Sequence, residues 1–126
     1  MRETQMTNLD IQCAELGYQL AGIKDMGERI LNAALTVLEE QGPYAMFLYV
    51  KARHKDVADQ FNRCCAQFLK KIFERRFSGN DTVLDVLDMV KSLAGNLDDL
   101  LFACDLLRIA LSYARYHLKV KEGGTS

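Results

Sequence analysis

The chain has one proline, no tryptophan, and no apolar run longer than residues 43–50. A membrane span takes about 20 apolar residues, so none is expected. Sandwiches and barrels turn often and use proline and glycine to do it, so one proline and 8 glycines argue against them. The first ten residues, MRETQMTNLD, lack the apolar core of a secretory signal. The expectation is therefore a soluble, cytoplasmic chain with no membrane contact. The four cysteines, Cys13, Cys64, Cys65 and Cys104, contain no C-x-x-C pair. Each falls within an apolar helical stripe, which reads as a small core residue in a reducing compartment. His54 and His117 have no partners at metal-ligand intervals. There is no glycine-rich phosphate loop, no strand to carry one, and no nucleophile elbow. The nearest carboxylate clusters are Asp85 with Asp88, and Asp98 with Asp99. Acids on a helix surface rarely hold a divalent ion without a histidine or a second helix beside them. No enzyme activity, metal or cofactor is expected.

What the chain does have is helical periodicity. Its 126 residues, 49% hydrophobic and 26% charged, suit one globular domain over 1–126. The ends, 1–6 and 121–126, are expected to fray. Leu9, Cys13, Leu16 and Leu20 share one helix face after a cap at Thr7 or Asn8, and Gly22 is the stop. Asp25 and Glu28 match a capping box for a second helix, with a stripe of Met26, Ile30, Ala34, Val37 and Leu38. Gly42 stands where a left-handed residue closes that helix, and Pro43 where the next one starts. Residues 43–50, PYAMFLYV, are apolar all round, which predicts a helix wrapped by the others. Val57, Phe61, Cys64 or Cys65, Phe68 and Ile72 form a stripe expected to continue to Phe77, before the breaker Ser78-Gly79-Asn80. The stretch 51–56 reads equally as helix or bend. Asp81 is the expected cap of a helix lined by Leu84, Leu87, Val90 and Ala94 and ended by Gly95. Asn96 caps the last helix, whose stripe runs from Leu97 through Leu100 or Leu101, Cys104, Leu107, Leu111 and Ala114 to Leu118. The fold class is all-α, a compact bundle of five to six helices around a central apolar one.

The net charge of −1 hides a segregation. Residues 1–45 carry net −4, 46–79 carry +5, 80–107 carry −5 and 108–126 carry +3. Within the basic blocks, Arg63 and Lys70 share a helix side with Lys71 and Arg75 flanking, and Arg108, Arg115 and Lys119 share another. If the two helices are neighbours, these rows merge into a cationic strip able to hold a phosphate backbone. Lys51 and Arg53 extend the middle block. Phe47, Tyr49, Tyr113, Tyr116 and His117 are near enough in sequence to stack on bases if exposed. Against this, Lys55–Asp59, Asp59–Arg63 and Lys71–Glu74 have the spacing of helical ion pairs, which would turn part of the face into ordinary solvated surface. Alternating blocks of opposite sign also suit a protein that stacks on its own copies or between charged partners.

Residues 31–53, LNAALTVLEEQGPYAMFLYVKAR, place a long helix, a glycine corner and an apolar helix in succession. Residues 100–119, LLFACDLLRIALSYARYHLK, are apolar with a basic, aromatic end. Together with the size, this resembles the small helical subunit of type III CRISPR interference complexes. The Cmr-type subunit is similar at the glycine corner, and the Csm-type subunit at the ending from Tyr113 to Tyr116. The resemblance implies a non-catalytic subunit that stacks with copies of itself beside the other subunits of an antiviral effector complex and holds the guide–target RNA backbone. Carried onto this chain, the RNA contacts would be Lys51, Arg53, Arg63, Lys70, Lys71, Arg75, Arg108, Arg115 and Lys119. The alternative is a helical adaptor or oligomerisation module that binds only proteins.

Overall fold

The computed structural model describes residues 2–77 and 85–123, with side chains over 8–77 and 85–121. Among the described residues there are seven helices and no strand: α1 (Arg2–Ala21), α2 (Glu28–Gln41), α3 (Pro43–Arg53), α4 (Lys55–Ile72), α5 (Glu74–Phe77), α6 (Val86–Leu93) and α7 (Leu97–Gly123). None is long and apolar enough to cross a membrane.

α1 starts at Arg2 and runs through the expected caps at Thr7 and Asn8. Residues 2–6 contain no breaker, and Arg, Glu, Gln and Met propagate a helix well. α1 stops at Ala21, and the Gly22 N–H donates to the Tyr18 and Gln19 carbonyls. The capping box over 25–28 does not form. Asp25 sits at φ 71, in a turn closed by the Met26 N–H donating to the Ile23 carbonyl. α2 begins only at Glu28, after an N-cap Gly27 that makes no side-chain cap bond. Aspartate is one of the few residues other than glycine that tolerates left-handed backbone, so the turn takes it and the cap is lost.

The next corner follows the sequence. Gly42 lies at φ 96, ψ 176 and Pro43 is the first residue of α3. That region of backbone space is nearly closed to residues with a Cβ. α3 itself is not the central helix. Met46, Phe47 and Val50 are fully buried, but Leu48 is 45% exposed. α3 packs on α2, α4 and α6 and forms a wall of the bundle. His54 is the C-cap of α3 and the N-cap of α4, so 51–56 is helix, corner, helix.

The stripe expected to reach Phe77 breaks at Phe73 (φ −106, ψ 50), leaving α5 as one separate turn. The breaker at 78–80, the cap at Asp81 and Leu84 lie outside the described residues. α6 is capped by Asp85, whose carboxylate accepts from the Leu87 N–H at 3.5 Å. Ala94, expected in the core, is exposed. Asn96 does cap α7: its Oδ1 accepts from the Asp99 N–H at 3.2 Å.

Two helices form the spine. The Cys13 thiol reaches the Leu106 carbonyl at 3.8 Å, Gly17 abuts Ala110, Tyr113 and Ala114, and Tyr18 meets His117. Contacts ascend together along both helices, so α1 and α7 are parallel. They approach so closely that a Cβ on Gly17 would sit 2.6 Å from Tyr113 Cβ and 2.8 Å from the Ala110 carbonyl oxygen. From this pair the neighbours close a circuit: α7 packs on α2, α2 on α3, α3 on α4, and α4 on α1. α6 lies against α3, α4 and α7. No polar or charged residue counts among the buried core of the described residues, although single side-chain atoms of Gln12, His54, Asn62 and Arg115 are buried.

Candidate nucleic-acid interface

Burial sets the rotation of α7 about its own axis. Ala103, Leu107, Ala110, Leu111, Ala114 and Leu118 all face inward. At 100° per residue, this puts Arg108, Arg115 and Lys119 on one flank and Tyr113 and His117 on the other. The flank with the cations meets α2. Arg115 is half-buried there and its Nη1 donates to Asn32 Oδ1 at 2.9 Å, while Lys119 Nζ lies 3.7 Å from Glu28 Oε2. Arg108 is exposed and pairs with Asp105 on its own helix at 3.6 Å. The row is engaged within the molecule. The other flank meets α1, with α4 beyond it. The two cationic rows do not merge, because α1 packs between them.

On α3, α4 and α5 the cations point outward. Lys51 and Arg53 on α3, Arg63, Lys70 and Lys71 on α4, and Arg75 on α5 are all exposed. The Arg53 guanidinium lies 5.9 Å from the centre of the Tyr49 ring, which in turn meets His54 edge-on at 5.5 Å. Lys70 and Arg75 already have interactions of their own. Among the described residues no ion pair engages Arg63 or Lys71. The pairs expected from spacing, Lys55–Asp59, Asp59–Arg63 and Lys71–Glu74, are thus not formed. Exposed pairs of this kind gain little over hydration and give up side-chain entropy.

Beside this face runs a furrow that no single-helix pattern announces. Its wide end, about 630 Å³, lies between the end of α1, the middle of α4 and the end of α7. Ala21, Ile23 and Val120 give it apolar surface, Gln19, Gln60 and Gln67 give it amides, and Arg63 and Lys121 give it positive charge. Tyr18 and His117 form one side, in an edge-to-face contact at 5.5 Å and 80°. No carboxylate lines this end among the residues whose side chains are described. A narrower end of about 170 Å³ continues along the α1–α4 seam past Gln19, Cys64 and Gln67 to Lys71, with Glu15 as its carboxylate. Lys121 and Tyr18 were not among the residues expected to bind RNA. Only the rotation of α7 and its contact with α1 bring them to Arg63.

Burial pushes the Cys13 thiol up to about 11, with help from the Asp10 carboxylate. Burial also raises Cys64, against the pull of Arg63, and it raises Cys65 far more. Cys104 is raised by burial and by Asp105. All four are free cysteines and are held as thiols rather than nucleophilic thiolates at neutral pH. Asp85 serves as a helix cap, and no cluster of three or more metal-capable side chains occurs among the described residues. One arginine absent from the sequence reading has a structural role. Arg76 Nη2 pairs with Asp99 at 2.7 Å while Nη1 donates to the Ser92 carbonyl at 3.2 Å, tying α5 to α6 and α7.

No protein-family model, curated protein or solved structure matches the chain.

Proposed function

We propose that the chain is a non-catalytic structural subunit of an RNA-guided antiviral ribonucleoprotein. In this reading it holds the guide–target RNA backbone on basic helix faces and stacks with copies of itself, as the small helical subunits of type III CRISPR interference complexes do. The observation that carries the RNA half is the outward row of α4, where Arg63 and Lys71 are exposed and unpaired among the described residues. Unpaired surface cations are available to displace counterions from phosphates, which gives affinity that is strong, salt-dependent and indifferent to sequence. Lys51 and Arg53 continue the basic surface at the α3–α4 corner. Arg108, Arg115 and Lys119 contribute less, since each already has a partner.

The test is a mobility shift with single-stranded and duplex RNA across salt concentrations. Charge reversal of Arg63 and Lys71 should weaken binding of all sequences alike and lower the salt slope by roughly 1–2. Unchanged affinity and slope would remove the RNA role and leave the adaptor reading.

A separate observation favours protein contact, whether with copies or with other partners. α7 carries charge of opposite sign near its two ends. Leu97, Leu101 and Phe102 are 66%, 54% and 42% exposed beside Asp98 and Asp105, while Tyr116 and Val120 are 62% and 73% exposed beside Lys119 and Lys121. Apolar surface rimmed by opposite charges at the two ends suits end-to-end association. Light scattering over a concentration series tests this. Leu101→Glu should shift any oligomer toward monomer, and an unaltered mass would count against this surface.

A further inference from the structure

We propose that the wide end of the α1–α4–α7 furrow binds one nucleotide unit, with the base against Tyr18 and the phosphate between Arg63 and Lys121. The RNA reading supplies the cellular source of that nucleotide, and the inference rests on it to that extent.

Four observations converge on this chemistry. The space, about 630 Å³, is in the range of small-molecule sites, roughly 300–1,000 Å³. Two cations line it and no carboxylate does among the residues whose side chains are described, which selects an anion. Tyr18 is 69% exposed although it sits on the spine helix, and His117 steadies its ring from the edge. A ring so placed offers an open π-surface, and base–aromatic stacking is indifferent to which base arrives. Gln60 and Gln67, both on α4, carry amide donors and acceptors of the kind that read base edges. A bare phosphate would leave the aromatic and the amides without a role. An uncharged ring would leave Arg63 and Lys121 without one. A nucleoside phosphate uses all of them.

The site differs in kind from the α4 row, because backbone contacts alone need no aromatic. The experiment exploits this. The full chain is titrated by calorimetry with adenosine monophosphate, uridine monophosphate, adenosine and inorganic phosphate, and by anisotropy with single-stranded eight-nucleotide RNAs. Both monophosphates should bind more tightly than either fragment alone. Tyr18→Ala should weaken monophosphate and oligonucleotide binding by about tenfold with no change in salt slope. Tyr18→Phe should retain binding. Because the Tyr18 side chain is largely outside the core, an unchanged melting temperature will show that the variant is folded.

The arms separate the possible sources and the possible failures. Loss of oligonucleotide affinity in Tyr18→Ala without measurable monophosphate binding supports the site as a pocket for a base within a strand. Monophosphate binding that depends on Tyr18, with no binding of RNA, supports the pocket and overturns the RNA reading. RNA binding that is indifferent to Tyr18→Ala overturns the pocket and leaves the RNA reading standing. Binding of inorganic phosphate as tight as that of the monophosphates also overturns it.

Discussion

The cationic rows of α4 and α7 look alike in sequence and have opposite fates in the fold. On α7, Arg115 and Lys119 are turned onto α2, where Asn32 and Glu28 receive them. On α4, Arg63 and Lys71 are turned outward and meet no carboxylate in an ion pair among the described residues. Spacing alone shows that charges share a face. What that face meets is decided by the core, which fixes the rotation of each helix. A row that docks on a neighbour becomes part of the scaffold, and a row left facing water can serve a partner.

The strongest way to break this contrast is to reverse charge on each row in turn. Arg63→Glu with Lys71→Glu should lower RNA affinity by about 10–100-fold at low salt and leave the melting temperature unchanged. Arg108→Glu with Lys119→Glu should lower it far less. Equal losses in gel-shift titrations would mean that the rows act together. Next comes the helix that separates them. Gly17→Ala forces a methyl against the Ala110 carbonyl and the Ala114 amide, both within 2.8 Å of the new Cβ. It should destabilise the fold by about 1–3 kcal/mol in urea unfolding, despite the better helix propensity of alanine. A stabilised variant would show that α1 and α7 are not in such close contact.

A third measurement concerns alkaline stability of the same spine. Cys13 has its folded thiol raised from 9.0 to about 11. A raised folded value means that the unfolded chain loses its proton first. The stabilisation is therefore complete below pH 9.0 and falls away as pH climbs toward about 11. Cys13→Ala should flatten that part of the stability–pH curve. Smallest is the difference between single arginines. Arg115→Ala should cost about 1 kcal/mol, because it strips a hydrogen bond from a half-buried contact with α2. Arg63→Ala should stay within about 0.5 kcal/mol. Reversed values would invert the assignment of scaffold and surface.

Features that depend on a few adjacent residues were readable in advance. The Gly42–Pro43 corner, the stop at Gly22 and the Asn96 cap each follow from local backbone chemistry and appear in the fold. Where two local solutions compete, sequence was a poorer guide: Asp25 could cap or turn, and the chain uses it to turn. The apolar stretch 43–50 was a sound marker of a helix but not of its position, since Leu48 lies on an outer wall. The candidate site was least legible. Arg63 was visible as part of a row, but its association with Tyr18 and Lys121 joins three helices distant in sequence. Only the packing of α1 against α7 brings them together, and the one local sign of that packing is a glycine at 17 amid good helix formers.

The parallel pairing of α1 with α7 also sets how far apart in sequence the partners of the spine lie. Cys13 and its partner Leu106 are 93 residues apart, and closing so long a loop is entropically costly and slow. Leu16 and Leu20 on α1 are buried in the same core as Leu107 and Leu111 on α7, and α1 packs on α4 as well. The spine is therefore built from contacts of high sequence separation, whose loop must be closed before their burial is gained.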